Sequence, residues 1–231
     1  MSKLAFIFPG QGAQKAGMGK DFYENSEAAR SFFDNAQKIL DFDLKEMCFG
    51  EHEELNLTEY TQPCMVSVCL AIVQELKKRG INPDITAGLS LGEYAAVAAA
   101  GGMNELDAIK LVRRRGILMQ STVPAGEGAM AAVLGLDAKK IEEILESFEN
   151  VWIANYNCPG QIVITGLTNE VQQASLALKE AGAKRVVELK VSGPFHSLLL
   201  KPAGEALLKE MESMSFSPLQ VPYVANATAE I

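Results

Sequence analysis

Residues 4–8, LAFIF, form an unbroken apolar run closed by Pro9-Gly10. Such a run predicts a strand covered on both faces, as in a parallel sheet. Helical periodicity follows in SEAARSFFDNAQKIL (26–40) and in TQPCMVSVCLAIVQELKKRG (61–80), which closes on Gly80. INPDITAGLS (81–90) predicts a short strand after a proline turn. LGEYAAVAAAGG (91–102) and NELDAIKLVRRRGILMQ (104–120) predict two further helices, with Asn104 as N-cap and Asp107 as a first-turn acid of the second. Strands alternating with helices imply an α/β domain around a mostly parallel sheet.

The rhythm changes after VPAGEG (123–128). AMAAVLGL predicts a strand, and DAKKIEEILESF an amphipathic helix started by Asp137. VWIANYN and QIVITG flank Cys158-Pro159-Gly160, a hairpin signal. NEVQQASLALKEAG predicts a second helix and KRVVELKVSG a last strand. The order β-α-β-β-α-β is that of a ferredoxin-like unit. It is expected over 126–192, inserted into a larger α/β domain made of 1–125 and 193–231. The larger domain resumes with a helix in PFHSLLLKPAGEALLKEM and a strand near LQVPYVAN.

Composition narrows the function classes. Of the 231 residues, 48% are hydrophobic and 22% charged, as in ordinary globular chains. A net charge of -8 argues against a general nucleic-acid binder, because a phosphate backbone needs a basic surface. The N-terminal apolar run is too short for a signal peptide, and no stretch reaches the roughly 18 apolar residues of a membrane span. Cys48, Cys64, Cys69 and Cys158 show no CxxC and no paired histidine spacing, so reduced thiols in a cytoplasmic protein are expected, with no metal site.

Gly88-Leu89-Ser90-Leu91-Gly92 matches the G-x-S-x-G nucleophile elbow. A serine on a sharp strand-to-helix turn exposes its hydroxyl, and flanking glycines let the turn pack without a Cβ clash. The Leu91 N–H, next in the chain, can hold an oxyanion. A serine nucleophile needs a base. Of the two histidines, His52 lies in acidic GEHEEL and reads as surface, which leaves His196 in VSGPFHSLLL. Asp107 and Asp137 both look like helix-start residues, so a Ser-His dyad without a carboxylate is expected.

Arg115 falls within the apolar stripe of Ala108, Leu111, Val112, Leu118 and Met119, whereas Arg113 and Arg114 fall away from it. A charge there needs a partner. Two readings are even: an internal salt bridge, for instance to Glu93, or a fork for a ligand carboxylate. The loop PGQGAQKAGMG (9–19) fails both phosphate-loop patterns, with Lys15, Gln14 and Asp21 at the deciding positions. It follows a strand, where sites form in doubly wound folds, and N–H groups around Gln11 could supply a second oxyanion donor.

FPGQGAQ, GLSLGEYAA, RRRGILMQ, GAMAAVLG, ANYNCPGQIVITG and GPFHSLLLKPA, in this order through most of the chain, resemble the malonyl-CoA:acyl carrier protein transacylase family of fatty acid synthesis. The resemblance implies an α/β-hydrolase-like domain carrying a ferredoxin-like subdomain. It implies Ser90 as nucleophile, His196 as general base and then acid, and Arg115 as partner of the malonyl carboxylate. It further implies Gln11 and Leu91 as the oxyanion hole, and Asn155 in the acyl or pantetheine channel. Phe195 resembles the ring that leaves little room for a 2-methyl branch. No metal or redox cofactor is implied; malonyl-CoA and acyl carrier protein are the partners, and a monomer is the default.

An acidic carrier protein needs a basic patch, for which Lys184, Arg185, Lys190 and an exposed Arg113 or Arg114 are the candidates. Family members continue beyond the position of Ile231, with an amide residue whose carbonyl orients the histidine. If Ile231 is the true terminus, the dyad is expected to lack this orienter. The rival classes are a serine esterase or thioesterase, a non-catalytic carrier-docking module, and an acyltransferase for another extender unit in a polyketide pathway.

Overall fold

The computed structural model describes residues 3–124, 126–189, 191 and 193–231, which divide into two compact units. The first comprises Met1–Ile117 with Leu207–Ile231, and the second Leu118–Ala206.

In the first unit β1 (Ala5–Phe8), β2 (Ile85–Gly88) and β7 (Tyr223–Val224) form a parallel sheet in the order β1-β2-β7. Around it stand α1 (Lys20–Asn25), α2 (Glu27–Gln37), α3 (Leu44–Phe49), α4 (Thr58–Lys78), α5 (Gly92–Ala99) and α6 (Glu105–Thr122). The helix starts follow from capping chemistry. Ser26 accepts from the Ala29 N–H, Asp43 from Glu46, and Asn104 from Leu106 and Asp107. Helix α4 begins three residues before the predicted start, at Thr58, and accommodates Pro63 in its second turn.

One expectation about β1 is overturned. Its burial alternates: Phe6 and Phe8 are buried, whereas Ile7 is 76% exposed. Phe6 and Phe8 join a core built with Phe33, Leu44, Val66, Leu70 and Ala96, so among the described residues helices cover the face that carries these two rings and not the face that carries Ile7. The unbroken apolar run at residues 4–8 cannot distinguish these cases, because apolar side chains occur on both sides of it.

The parallel register sets Phe8 beside Gly88. The loop after β1 and the turn after β2 therefore leave the sheet at the same carboxyl edge, where open α/β sheets carry their sites. Thr86, fully buried, donates from Oγ1 to the Ala96 carbonyl and ties β2 to α5.

The second unit holds β3 (Gly128–Leu134), α7 (Ala138–Leu145), β4 (Val151–Cys158), β5 (Gln161–Leu167), α8 (Thr168–Glu180) and β6 (Arg185–Glu188). The antiparallel sheet runs β4-β5-β3-β6, the ferredoxin-like order. Alternation along β3 builds two cores. Ala129, Ala131 and Val133 pack with Ile141, Leu145, Val171 and Leu178 from the two helices. Met130 and Ala132 pack on the opposite face with Met119, Val123, Phe195, Leu200 and Ala203. The last two residues lie in a 3-10 turn (Leu198–Leu200) and in α9 (Lys201–Glu212).

Candidate active site

Ser90 sits on the turn between β2 and α5 at φ 50°, the left-handed region that costs a non-glycine residue about 1–2 kcal/mol. The flanking glycines explain how so sharp a turn packs. A Cβ on Gly88 would lie 2.1 Å from the Gly92 carbonyl carbon, and one on Gly92 would lie 2.3 Å from the Phe8 carbonyl oxygen. Gly10 approaches the same turn, where a Cβ would stand only 2.8 Å from the Leu89 oxygen. Leu91 is buried at the mouth of α5. Among the described residues no acceptor engages the main-chain N–H of Leu91 or of Gln11.

Asn226, in the loop after β7, clamps the turn. Its Oδ1 accepts from the Ser90 N–H at 2.6 Å, and its Nδ2 donates to the Gly88 carbonyl. One amide thus spans the serine from both sides, as a neighbouring strand would. The Asn226 N–H in turn donates to Glu93 Oε1 at 2.9 Å, and Glu93 lies in the first turn of α5. Sequence reasoning passed over Asn226. Its only signal was an asparagine at the end of the segment predicted as the last strand, and nothing local relates it to a turn 136 residues away.

Arg115 is half-buried on α6, and its neighbour Gly116 sets the distance to α4. A Cβ there would fall 2.6 Å from Glu59 Cα and 2.8 Å from the Thr58 oxygen, so only glycine permits this approach. Arg115 Nη1 donates to Gln62 Oε1 at 2.7 Å, and the guanidinium stands 5.4 Å from the centroid of the Tyr94 ring. Its recorded partners are therefore neutral. The internal salt bridge to Glu93 does not form; Glu93 serves the Asn226 amide instead. Gln62 Nε2 donates to Thr58 Oγ1 at 2.8 Å, and Thr58 Oγ1 donates to Gln11 Oε1 at 2.9 Å. The first unit thus connects Arg115 to the loop after β1.

His196, Phe195 and Asn155 belong to the second unit. Phe195 is buried on the sheet face opposite the helices, and it anchors the exposed His196, which adopts φ 62°. Ser197 Oγ donates to the Pro194 carbonyl at 2.7 Å, and Gly128 leaves space for the Pro194 ring, so the loop has little freedom on either side of the histidine. Asn155 lies in β4, half-buried, at a register shift between Ile153 and Asn155.

The other candidates divide plainly. Arg113, expected to be exposed, is not. Its side chain retains 11% exposure, pairs with Asp41 and Glu59, and stands 4.9 Å and 5.2 Å from the centroids of the Tyr60 and Phe42 rings. Helical spacing alone missed this because the segments that enclose it come from elsewhere in the chain. Arg114 pairs with Glu210 at 2.9 Å and remains half exposed. Lys184 and Arg185 are exposed, and Lys190 lies outside the described residues. His52 contacts Glu46 at 3.0 Å. Asp107 pairs with Lys110, and Asp137 caps α7, as helix-start residues do. The cysteines are unpaired, and the described residues include no group of three His, Cys, Asp or Glu able to hold a metal ion.

Known proteins resemble this chain over nearly its whole length. The family model of the acyl transferase domain matches residues 5–230. The malonyl CoA-acyl carrier protein transacylase of Bacillus subtilis (strain 168) is 47% identical over 236 residues, covering 100% of this chain and 74% of the relative. The enzyme of that name from Staphylococcus aureus (strain MSSA476) is 44% identical, covering 100% and 76%. The crystal structure of MCAT from Streptococcus pneumoniae superposes with a TM-score of 0.93 at 44% identity, over 99% of this chain and 76% of that one. A malonyl-transacylase in complex with a holo type II PKS acyl-carrier protein gives 0.95 at 40% identity, over 100% and 76%. The chain belongs to the acyl transferase domain family and, within it, to the malonyl CoA-acyl carrier protein transacylases.

Proposed function

We propose that this protein transfers a malonyl group from malonyl-CoA to the phosphopantetheine thiol of acyl carrier protein, in fatty acid synthesis, through an ester on Ser90. The observation that carries the choice of acyl group is Arg115. It is a half-buried guanidinium whose recorded partners are an amide and an aromatic ring, in the same unit as the elbow serine. Such a fork favours a carboxylate ligand. The relatives, several of which are transacylases of this name, support the same acceptor, and one structural neighbour is in complex with an acyl carrier protein.

In this reading Ser90 Oγ attacks the thioester carbon while His196 takes the hydroxyl proton. The main-chain N–H groups of Leu91 and Gln11 hold the oxyanion of the tetrahedral intermediate. The C–S bond breaks, the proton passes from the imidazolium to the departing sulfur, and CoA leaves as the thiol. The carrier thiol enters, gives its proton to His196 and attacks the ester carbonyl. The C–O bond breaks, and Ser90 recovers its proton. This is a ping-pong cycle. Asn155 borders the acyl channel, and Phe195 restricts it to unbranched malonyl. A thioester is already activated, so no metal or redox cofactor takes part. We place the reaction in the cytoplasm, as the cysteine pattern suggests; among the described residues no helix is long and apolar enough to cross a membrane.

The test is intact mass after incubation with malonyl-CoA and quenching. The expected result is one malonyl adduct that is absent in Ser90→Ala, reduced in Arg115→Ala, and discharged by holo acyl carrier protein faster than by water. Discharge at the same rate with and without carrier would instead mark a hydrolase.

A further inference from the structure

The side chains that join Arg115 to Gln11 form a directed chain. Each member donates forward: Arg115 Nη1 to Gln62 Oε1 at 2.7 Å, Gln62 Nε2 to Thr58 Oγ1 at 2.8 Å, and Thr58 Oγ1 to Gln11 Oε1 at 2.9 Å. Gln62 is fully buried and Thr58 is 1% exposed. Thr58 and Gln62 stand one turn apart on the same face of α4, where Gly116 allows α6 to approach. Buried polar groups require partners, so the orientation of each link constrains the next. A hydroxyl is the only side-chain group of this size that both accepts from one amide and donates to another.

We propose that Thr58 is a positioning residue that couples the arginine pairing the acyl carboxylate to the loop supplying an oxyanion N–H. The proposal rests on the malonyl reading of Arg115 and Gln11 given above. With the chain intact, a carboxylate that seats the Arg115 guanidinium also steadies Gln62, Thr58 and the Gln11 side chain, whose main-chain N–H must point at the oxyanion. Thr58 touches no reacting atom. It makes the oxyanion hole better ordered for an acyl group that ends in a carboxylate than for one that does not.

The test is a double-mutant cycle read as single-turnover acylation by malonyl-CoA and, in parallel, acetyl-CoA, with the thermal midpoint as control. The variants are Thr58→Val, Thr58→Ser, Arg115→Ala and Thr58→Val/Arg115→Ala. The expected loss in Thr58→Val is about tenfold in the malonylation rate, less than the 10²–10³-fold of deleting an oxyanion donor outright. KM should move by less than the rate constant. Thr58→Ser, which keeps the hydroxyl, restores the rate lost in Thr58→Val. Once Arg115 is alanine, Thr58→Val should cost at most about threefold more, and the coupling should vanish with acetyl-CoA. Gln62→Met cuts the same chain at the next link, so it must reproduce the pattern even if Thr58→Val folds poorly. Effects that multiply, a serine variant as slow as valine, or equal losses with both thioesters would overturn the coupling alone. A wild-type malonylation rate in Arg115→Ala would overturn the malonyl reading and the coupling with it.

Discussion

Replacing Asn226 with alanine isolates the contribution of the clamp on the serine turn. The substitution removes one acceptor from the Ser90 N–H and one donor from the Gly88 carbonyl, and leaves the main-chain bond to Glu93 in place. Each lost hydrogen bond is worth about 0.5–1.5 kcal/mol net. The position is exposed, so water can replace part of the pair, and the expected loss is about 1–2 kcal/mol. That is the same size as the roughly 1–2 kcal/mol cost of the left-handed backbone at Ser90. Without the clamp the turn keeps its main-chain bonds from Gly92 to Leu89 and from Glu93 to Ser90, but loses the pair that offsets the cost of φ 50°. The thermal midpoint should fall by roughly 2–8 °C for a chain of this size. Displacement of the hydroxyl by about 1 Å should slow malonylation by about 10²-fold. Asn226→Asp keeps the acceptor for Ser90 but sets a carboxylate against the Gly88 carbonyl and near Glu93, so it should do no better than alanine. The assays are a thermal melt and quenched-flow intact mass. A wild-type acylation rate in Asn226→Ala would refute the argument, whatever happens to the melting temperature.

Further outcomes follow from the same contacts. Arg115→Lys keeps the charge but loses the planar fork, so malonyl transfer should fall about 10-fold or more while acetyl transfer changes little; steady-state rates with both thioesters decide this. Gly92→Ala places a Cβ 2.3 Å from the Phe8 oxygen and should cost about 1–3 kcal/mol as α5 shifts off β1, read from the urea midpoint. Hydrogen bonding from Arg113 holds the Asp41 carboxyl below its usual value. Its contribution to stability is therefore full above the unfolded-state value of about 4 and is lost as pH falls below it; Asp41→Asn should flatten the melting-temperature profile between about pH 5 and 3. Burial pushes the Cys69 thiol up to about 11, and Cys48 and Cys64 are buried, whereas Cys158 is exposed. Iodoacetamide at about pH 8 should label Cys158 first and leave the other three until the chain unfolds, as peptide mass mapping would show.

Local patterns determined a good deal of this molecule. Caps at Asn104 and Asp137, the hairpin at Cys158-Pro159-Gly160 and the order β-α-β-β-α-β depend on neighbours within a few residues, so they are legible in a one-dimensional chain. The elbow was legible for the same reason: two glycines around a serine report a turn too tight for a Cβ, and the distances at Gly88 and Gly92 show which atoms forbid it. An arginine in an apolar stripe was visible too, but its partner was not. Spacing offered Glu93 and an outside carboxylate on equal terms, and the approach of α6 to α4 at Gly116 decided for Gln62. Pairing across the chain was beyond any periodicity. Asn226 reaches Ser90 because β7 adds to β2 in parallel, Arg113 is enclosed because Asp41, Phe42 and Tyr60 fold over it, and Ile7 is exposed because, among the described residues, helices cover the other face of its strand. A sequence specifies which residues want burial, a turn or a partner; long-range packing decides which partner each one meets.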